Sequence, residues 1–342
     1  MRYRLLGNTG LRVSELFLGA MTFGEQGGVG APLEECRRML EAYAEAGGNV
    51  IDTAINYRAG KSELILGELL EGRRDEFVLA TKYTVSRNGA DPNAAGNHRK
   101  NLVQSLETSL RRLRTDYVDV YWVHMWDRHT PVEETMRALD DVVRSGKVLY
   151  VGISDAPAWV VSRANTLAEL RGWSQFAGLQ VPYSLLKRDI ERELLPMAED
   201  FGMSVAAWSP LAGGVLSGKF TREGGAEAGT RLAADSISEH DHTVARAVQD
   251  VADELGATPS QVAIAWTRAA SRAVHPIVGA RRLDQLVDNL GAVDVTLPAE
   301  AVARLNDATG FQVGFPTDFI EEIGGWVFGE ASARVDGRSA RG

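Results

Sequence analysis

Asp52, Tyr57 and Lys82 are residues whose types and spacing suggest chemistry. Asp52 and Lys82 end two short apolar runs, near 49–52 and 77–82, and Tyr57 comes five residues after Asp52. If both runs are strands, they bring a carboxylate, a phenol and an amine to one rim, where such groups can transfer a proton. A cation beside a phenol favours the ionised form, so we expect Lys82 to lower the pKa of Tyr57.

Strand-like and helix-like patterns alternate along most of the chain, and these elements would position the three residues. Apolar runs of strand length occur near 15–18, 49–52, 77–81, 117–123, 148–153, 177–181, 203–208 and 275–278. Helical periodicity occurs near 33–46, 62–71, 98–113, 133–144, 157–171, 189–200, 243–255 and 282–290. Eight βα units predict an α/β fold, a closed (β/α)8 TIM barrel. The alternative is an open doubly wound sheet, but residues 24–30 do not match its G-x-G-x-x-G fingerprint and are expected to form a flexible loop.

The chain is predicted to be one domain, 1–342, with three parts. The turn signal Asn8-Thr9-Gly10 lies between two short β-like pieces and predicts a hairpin over about 1–14. The barrel is expected over about 15–308 and a C-terminal tail over 309–342. Residues 209–242 form a long insertion after the seventh strand, and loops of this length are usually functional or disordered.

Composition limits the classes of function. Of 342 residues, 44% are hydrophobic and 24% charged, as in soluble globular proteins. No apolar stretch reaches membrane-spanning length, and the net charge of −9 disfavours nucleic acid as a partner. Cys36 is the only cysteine, so no internal disulfide can form, which fits a cytoplasmic location. Barrel packing explains the apolar stripes of the helices, so these stripes do not specify an oligomeric state.

His124 is a candidate active-site residue, whereas the pair His240 and His242 is not expected to form a site. His124 ends the apolar run 117–123, so Asp52, Lys82 and His124 would all lie at strand ends, on the face where barrel enzymes build active sites. Each alone could be a solvated strand end, but three in succession are hard to explain by packing. His240 and His242 have a spacing that some metal sites use, yet without a third ligand they predict a polar helix start, and no metal is expected.

The segment from Gly213 to Phe220 is a near match to a phosphate-binding loop. Its spacing G-x-x-x-x-G-K is complete at Lys219, but Phe220 replaces the Ser or Thr that would hold magnesium. A nucleoside-triphosphate enzyme is therefore disfavoured.

Several motifs together resemble the aldo-keto reductase superfamily. They are GGNVIDTAINY, LATKY, DYVDVYWVH, GISDAPAW, AWSPLAGGVLSGKF and PIVGARRLDQLVDNL, and they span nearly the whole predicted barrel in order. The later motifs are most similar to the branch that includes potassium-channel β subunits and many bacterial reductases. The resemblance implies an NADPH-dependent carbonyl reductase, in agreement with the residues at the strand ends.

The resemblance also implies a role for each catalytic residue. Tyr57 would be the general acid that protonates the carbonyl oxygen, and Lys82, held by a salt bridge to Asp52, would lower its pKa. His124 would orient the substrate carbonyl. Donors aimed at that oxygen stabilise the negative charge that develops during hydride addition. Hydride and proton together complete the reduction, so the resemblance requires no metal.

The cofactor positions carried over from the family form three groups. Ser154, Asp155 and Gln180 would hold the nicotinamide carboxamide, and Trp208 would stack on its ring. The pyrophosphate would lie against Ser209, Leu211, Gly213, Lys219 and Arg231, and the adenosine end against Gly279, Arg281, Gln285, Asp288 and Asn289. Met21 and Asp52 are also expected to bind the cofactor. Asp155 stands where Asn is commoner, and an ionised carboxylate can accept from the amide NH2 but cannot donate to the amide oxygen. An arginine such as Arg281 suits a 2′-phosphate, which favours NADPH over NADH.

The expected substrate is a small, moderately hydrophobic carbonyl compound. Phe23, Tyr83 and Trp126, with Met125 beside them, would form apolar walls at the mouth, and Phe315, Phe319 or Trp326 of the tail could add to them. The alternative function is an NADPH-binding regulatory subunit with little turnover, because the channel β subunits retain similar catalytic residues. An enzyme is favoured, since nothing in the sequence resembles a dedicated partner-binding extension.

Overall fold

Eight parallel strands close into a barrel, as the alternating pattern predicts. The computed structural model describes residues 1–25, 30–221 and 237–334. An antiparallel hairpin of β1 (Tyr3–Leu5) and β2 (Arg12–Ser14) precedes the barrel. The barrel strands are β3 (Phe17–Gly19), β4 (Val50–Asp52), β5 (Val78–Tyr83), β6 (Val118–Val123), β7 (Val148–Ser154), β8 (Phe176–Pro182), β9 (Ser204–Trp208) and β10 (Val274–Val278). Each strand pairs with the next, and β10 pairs with β3 to close the ring.

Helices cover the outside of this ring. Those of the βα units are α1 (Leu33–Glu45), α2 (Lys61–Leu69), α3 (Arg99–Leu113), α4 (Val132–Arg144), α5 (Ala158–Arg171), α6 (Leu194–Asp200), α7 (Glu239–Leu255), α8 (Pro259–Ala270) and α9 (Leu283–Leu290). The chain then continues into α10 (Ala299–Thr309) and α11 (Thr317–Phe328). No helix in the described ranges is both long and apolar enough to span a membrane.

The alternation of each strand decides which side chains face the barrel interior. In β5, Val78 and Ala80 belong to the interior cluster, whereas Leu79 and Tyr83 pack in the layer between strands and helices. Side chains alternate with a period of two, so Lys82 continues the interior set. The same parity holds in the other strands and defines an inward row at their carboxyl ends. The inward row consists of Asp52, Lys82, His124, Ser154, Gln180 and Trp208.

One indole fills much of the barrel interior below this row. A Cβ atom at Gly152 would lie 2.3 Å from the Trp122 ring, and one at Gly178 would lie 2.8 Å from it. Both glycines therefore leave the volume that Trp122 occupies, and the side chain is 2% exposed. The rigid indole supports the strand ends that carry the inward row.

The hairpin closes the opposite end of the barrel. Leu6 and Val13 are buried and pack in the same interior cluster as Phe17. Glu15, directly after β2, forms an ion pair with Arg268 of α8, which ties this end of the barrel to the helical layer.

Two features differ from the sequence-based expectation. The helix α8 was not anticipated, because its successive residues from Val262 to Trp266 are all buried and leave little periodicity. The C-terminal tail forms α11, in which Phe319 and Trp326 are exposed, so those tail residues are not shown to line the mouth. Parts of the predicted loops fall at 26–29 and 222–236, outside the described residues.

Candidate active site

A cavity of about 650 Å3 opens at the carboxyl ends of the barrel strands. Five members of the inward row line it, and they come from separate strand ends: Asp52, His124, Ser154, Gln180 and Trp208. Lys82 lies beneath the cavity floor and is fully buried. The predicted convergence of residues distant in sequence therefore occurs at this rim.

Asp52, Lys82 and Tyr57 form a connected chain of polar contacts. The Lys82 ammonium donates to Asp52 Oδ2 at 2.5 Å, to the Thr53 carbonyl oxygen at 2.8 Å and to the Tyr57 hydroxyl oxygen at 3.2 Å. Its three donors are thus all used, as a buried ammonium requires. Gln180 Nε2 donates to the second carboxylate oxygen of Asp52 at 3.0 Å, which fixes the carboxylate from the other side.

Burial and charge act in opposite directions on this chain. Burial disfavours the charged amine of Lys82, but Asp52 and Tyr57 together raise its pKa above the ordinary value. Burial raises the pKa of Tyr57, while the Lys82 charge lowers it, and the balance is a raised value. The expected lowering of the Tyr57 pKa is therefore wrong as a net direction. The contribution of Lys82 has the predicted sign but is smaller than that of desolvation.

His124 faces Tyr57 across the same part of the cavity. The two ring centroids are 5.8 Å apart and the planes are nearly perpendicular, at 80°. Burial, and then the Lys82 charge, lower the pKa of His124 to about 3. The imidazole is therefore neutral near neutral pH, and it can donate a hydrogen bond to a carbonyl oxygen without adding a charge.

Asp155 joins three of the strand ends beside this group. Its backbone adopts the left-handed conformation, with φ 46°, and its backbone N–H donates to the Gln180 carbonyl oxygen at 3.2 Å. Asp155 Oδ1 accepts from the Trp208 indole N–H at 3.3 Å. Burial raises the pKa of Asp155, against hydrogen bonds from Trp208 and Ser154 that lower it.

The far end of the cavity is lined by basic side chains and helix starts. Lys219 and Arg281 line this end, together with Gln285 at the start of α9. Gln285 Oε1 accepts from the Arg281 backbone N–H at 3.1 Å. Gly279, directly after β10, also lines this end. Cations and helix N-termini favour phosphate groups.

Comparison with known proteins identifies the family. The sequence model of the family described as "Aldo/keto reductase family" matches residues 15–309. The chain belongs to the aldo/keto reductase family.

Curated relatives cover nearly the whole chain. Norsolorinic acid reductase B of Aspergillus parasiticus is 41% identical over 340 residues, 93% of this chain and 87% of that protein. Norsolorinic acid reductase stcV of Emericella nidulans is 40% identical, covering 92% of this chain and 82% of that protein. An aryl-alcohol dehydrogenase of Phanerodontia chrysosporium whose name specifies NADP(+) is 39% identical, covering 92% of this chain and 88% of that protein.

The cavity of this aldo/keto reductase brings together most residues that the sequence singled out. Of the positions expected to bind cofactor, those that line the cavity are Met21, Asp52, Ser154, Asp155, Gln180, Trp208, Ser209, Leu211, Gly213, Lys219, Gly279, Arg281, Gln285, Asp288 and Asn289. Arg231 lies outside the described residues. Asp288 also has a structural role, because its Oδ1 accepts from Thr258 Oγ1 at 2.8 Å and so ties α9 to the start of α8.

The three residues expected at the substrate mouth are placed differently. Phe23 and Tyr83 are fully buried in the layer between strands and helices, and neither lines the cavity. Tyr83 follows the inward-facing Lys82, so alternation turns it outward, where it stacks on Tyr121 with ring centroids 5.1 Å apart. Trp126 is half-buried behind the mouth and is also absent from the lining.

Sequence reasoning missed residues that do line the cavity near Tyr57. Asn56 and Val85 lie in its wall, beside Met125, which the sequence had suggested. Asn56 is next to Tyr57, and its carbonyl Oδ1 is buried without a hydrogen-bond partner among the described residues. The adjacency of Asn56 to the predicted acid was the signal that could have identified it. Among the described residues, no group of three His, Cys, Asp or Glu side chains is arranged to hold a metal ion.

Proposed function

We propose that this chain reduces an aldehyde or ketone to an alcohol with NADPH, with Tyr57 as the general acid. The observation that carries the proposal is the contact of 3.2 Å between Lys82 Nζ and the Tyr57 hydroxyl, beside His124 at the cavity floor. A phenol that borders a cavity, next to a buried cation, can give up a proton and be stabilised as the phenolate. Membership of the aldo/keto reductase family supports the same chemistry.

The cavity residues fit a dinucleotide with a phosphate at its adenosine end. Ser154, Asp155 and Gln180 would hold a carboxamide, and the Trp208 indole, which Asp155 orients, would form a flat wall beside the ring. Lys219 and Arg281 supply positive charge at the other end, where arginine can bind a 2′-phosphate through two hydrogen bonds. When bound, NADPH supplies the hydride. The relative from Phanerodontia chrysosporium, whose name specifies NADP(+), supports this choice.

Four residues of the chain would each have a separate role in the reduction of the substrate carbonyl. Neutral His124 donates to the carbonyl oxygen and orients it, and Tyr57 gives that oxygen its proton. Lys82 stabilises the phenolate left on Tyr57, and Asp52 balances the Lys82 charge in the buried site. In alcohol oxidation the same phenolate accepts the proton, so the direction follows from the supply of reduced and oxidised cofactor.

An aromatic aldehyde or ketone is the substrate class that we infer. Met125, which is 49% exposed, lies at the mouth. Met125 also lines the cavity, and its thioether side chain favours contacts with aromatic rings. The relatives named aryl-alcohol dehydrogenase support this inference.

The test is nicotinamide absorbance with a panel of aromatic and aliphatic aldehydes. We expect NADPH oxidation with the wild type and a loss of about 100- to 10,000-fold in kcat for Tyr57→Phe, with NADPH affinity retained, because only the proton donor is removed. Tyr3→Phe is the matched control, since Tyr3 is half-exposed on the hairpin and its hydroxyl donates to the Gly47 carbonyl oxygen. Tight NADPH binding without turnover of any aldehyde would instead favour the regulatory subunit. Near-normal rates in Tyr57→Phe would show that another group is the acid.

A further inference from the structure

The turn that carries Tyr57 has an unusual backbone. Arg58 and Ala59 adopt left-handed conformations with φ 52° and 54°, and Gly60 follows with φ 89°. Non-glycine residues rarely adopt positive φ, and strained backbone of this kind persists only where surrounding contacts hold it. The contacts that hold this turn therefore decide where the Tyr57 hydroxyl lies.

A partly buried ionic cluster lies directly against the turn. Glu63 of α2 is fully buried, and its Oε1 accepts from Thr81 Oγ1 at 2.7 Å. Its Oε2 accepts from Arg112 of α3, whose NH1 atom is 3.1 Å away. The same NH1 atom donates to the Ile55 carbonyl oxygen at 2.8 Å. Arg112 thus joins Glu63 to the backbone two residues before Tyr57.

The cluster also connects to the strand that carries the catalytic amine. Thr81 precedes Lys82 in β5, and the Ile55 backbone N–H donates to the Lys82 carbonyl oxygen at 3.1 Å. Ile55 is therefore held on its carbonyl side by Arg112 and on its N–H side by β5. These two anchors fix the start of the Tyr57 turn relative to Lys82.

Arg112 packs on the end of the turn as well as its start. A Cβ atom at Gly60 would lie 2.5 Å from the Arg112 guanidinium carbon, so the planar group covers this residue closely. A guanidinium presents donors in a rigid fork, which a flexible lysine amine does not. Gly60 therefore leaves the space that the Arg112 guanidinium fills.

We propose that Arg112, held in place by Glu63, is a positioning residue for Tyr57. It fixes the strained turn so that the phenol hydroxyl stays within reach of Lys82 and of the substrate carbonyl. The inference rests on the proposed function, in which Tyr57 is the general acid. Neither Arg112 nor Glu63 lines the cavity, so both act through the turn.

The first test compares two glutamates that pair with arginines near the carboxyl end of α3. Glu63→Gln removes the buried carboxylate. Glu71→Gln is the matched control, because Glu71 forms an equivalent pair with Arg114 at 3.0 Å, but both side chains are exposed and neither contacts the turn. We expect Glu63→Gln to lower kcat by about 10- to 100-fold, as small displacements of a catalytic group do. NADPH affinity should be unchanged in both variants, and Glu71→Gln should keep the wild-type kcat.

The ionisation of Tyr57 separates displacement from simple loss of folded protein. The groups that face Tyr57 are Lys82, Asp52, Asp155 and the ring of His124. Of these, Lys82 is the positive charge that favours the phenolate, so movement away from it should raise the Tyr57 titration midpoint in Glu63→Gln. Carbon NMR of labelled tyrosine, with the Tyr57 signal assigned from Tyr57→Phe, measures this midpoint without turnover. A smaller folded fraction would reduce the signal without moving the midpoint.

A second pair of variants covers the case in which Glu63→Gln does not fold. Arg112→Ala should show the same two effects, and free guanidinium at low millimolar concentration should restore part of kcat, because the Arg112 side chain is 29% exposed and its site is reachable. The kcat of Arg112→Lys should lie between those of the wild type and Arg112→Ala, since one amine cannot reproduce the fork.

If the wild type reduces aldehydes but Glu63→Gln and Arg112→Ala keep its kcat and Tyr57 midpoint, the positioning role is wrong. If the wild type reduces none, the proposed function fails, and the Tyr57 midpoint still decides the positioning role.

Discussion

The Lys82 ammonium contacts Tyr57 in two ways at once. Its nitrogen lies 3.2 Å from the phenol oxygen and 4.7 Å from the centre of the aromatic ring. The cation therefore approaches the ring close to its hydroxyl, where it can stabilise a phenolate most strongly. This arrangement depends on Asp52, because a fully buried ammonium without a counter-charge would be costly.

Removal of the Lys82 charge is expected to destabilise the fold as well as stop catalysis. Lys82→Met leaves the Asp52 carboxylate, 3% exposed, without its cation, and such a loss typically costs about 3–5 kcal/mol. The double variant Asp52→Asn with Lys82→Met removes both charges and should recover part of this loss. Urea unfolding of the two variants measures the difference. A double variant that is less stable than Lys82→Met would contradict a stability role for the charge pairing.

Arg281 is expected to distinguish NADPH from NADH. Arg281→Ala should weaken NADPH binding by about 10- to 100-fold, which is the usual worth of a charged hydrogen bond, and should change NADH binding little. Arg304→Ala is the control, because Arg304 forms an exposed ion pair with Glu254 and does not line the cavity. Fluorescence titration with each cofactor gives the affinities. Equal losses for NADPH and NADH would place the 2′-phosphate elsewhere.

The close contact between Gly152 and the Trp122 ring predicts that a larger residue at position 152 lowers the unfolding free energy. Gly152→Ala places a methyl group 2.3 Å from the indole, and such overpacking typically costs about 1–3 kcal/mol in unfolding free energy. Gly89→Ala is the matched control, since a Cβ atom there would meet no heavy atom within 4 Å. Thermal unfolding should show a lower midpoint for Gly152→Ala than for Gly89→Ala. Combining Gly152→Ala with Trp122→Leu should cost less than the sum of the two single changes.

The buried His275 is expected to make stability depend on acid pH. Burial lowers the pKa of His275 to about 4, whereas an unfolded histidine titrates near 6.5. Between these values the unfolded chain binds more protons, so stability is fully present above about pH 6.5 and falls as the pH drops towards 4. The full difference corresponds to about 3 kcal/mol.

Urea unfolding from pH 4 to 7 measures this dependence for the wild type and His275→Gln. The unfolding free energy of the variant should fall less steeply as the pH drops. Some fall should remain, because His124, whose pKa is about 3, also destabilises the fold at acid pH. If the unfolding free energy of His275→Gln depends on pH as steeply as that of the wild type, His275 does not contribute to the acid sensitivity.

The sequence predicted the barrel and the convergence of Asp52, Lys82 and His124 because both depend on patterns that are local in the chain. Each of these residues ends or follows an apolar run, and parallel strands necessarily meet at one rim. Tyr57 was predicted to lie beside them because only a short loop separates it from Asp52. Tyr83 is predicted to lie at the mouth, but strand alternation after the inward-facing Lys82 turns it outward, so a local pattern gives the correct side.

Other features depend on packing that a single run does not specify. The left-handed backbone at Arg58 and Ala59 has no local sequence signal, since neither residue favours positive φ. The raised pKa of Tyr57 follows from how deeply the ring is buried, which is set by the assembled rim.

The shared parity of the inward row has a consequence for how this protein tolerates change. Inserting or deleting one residue inside β5 would move Lys82 to the outer layer and bring Tyr83 or Thr81 to face the barrel interior. The same shift in β4 would remove Asp52 from the row. Length variation in evolution or in directed libraries should therefore collect in the loops, where a change of one residue leaves every strand end facing the same side.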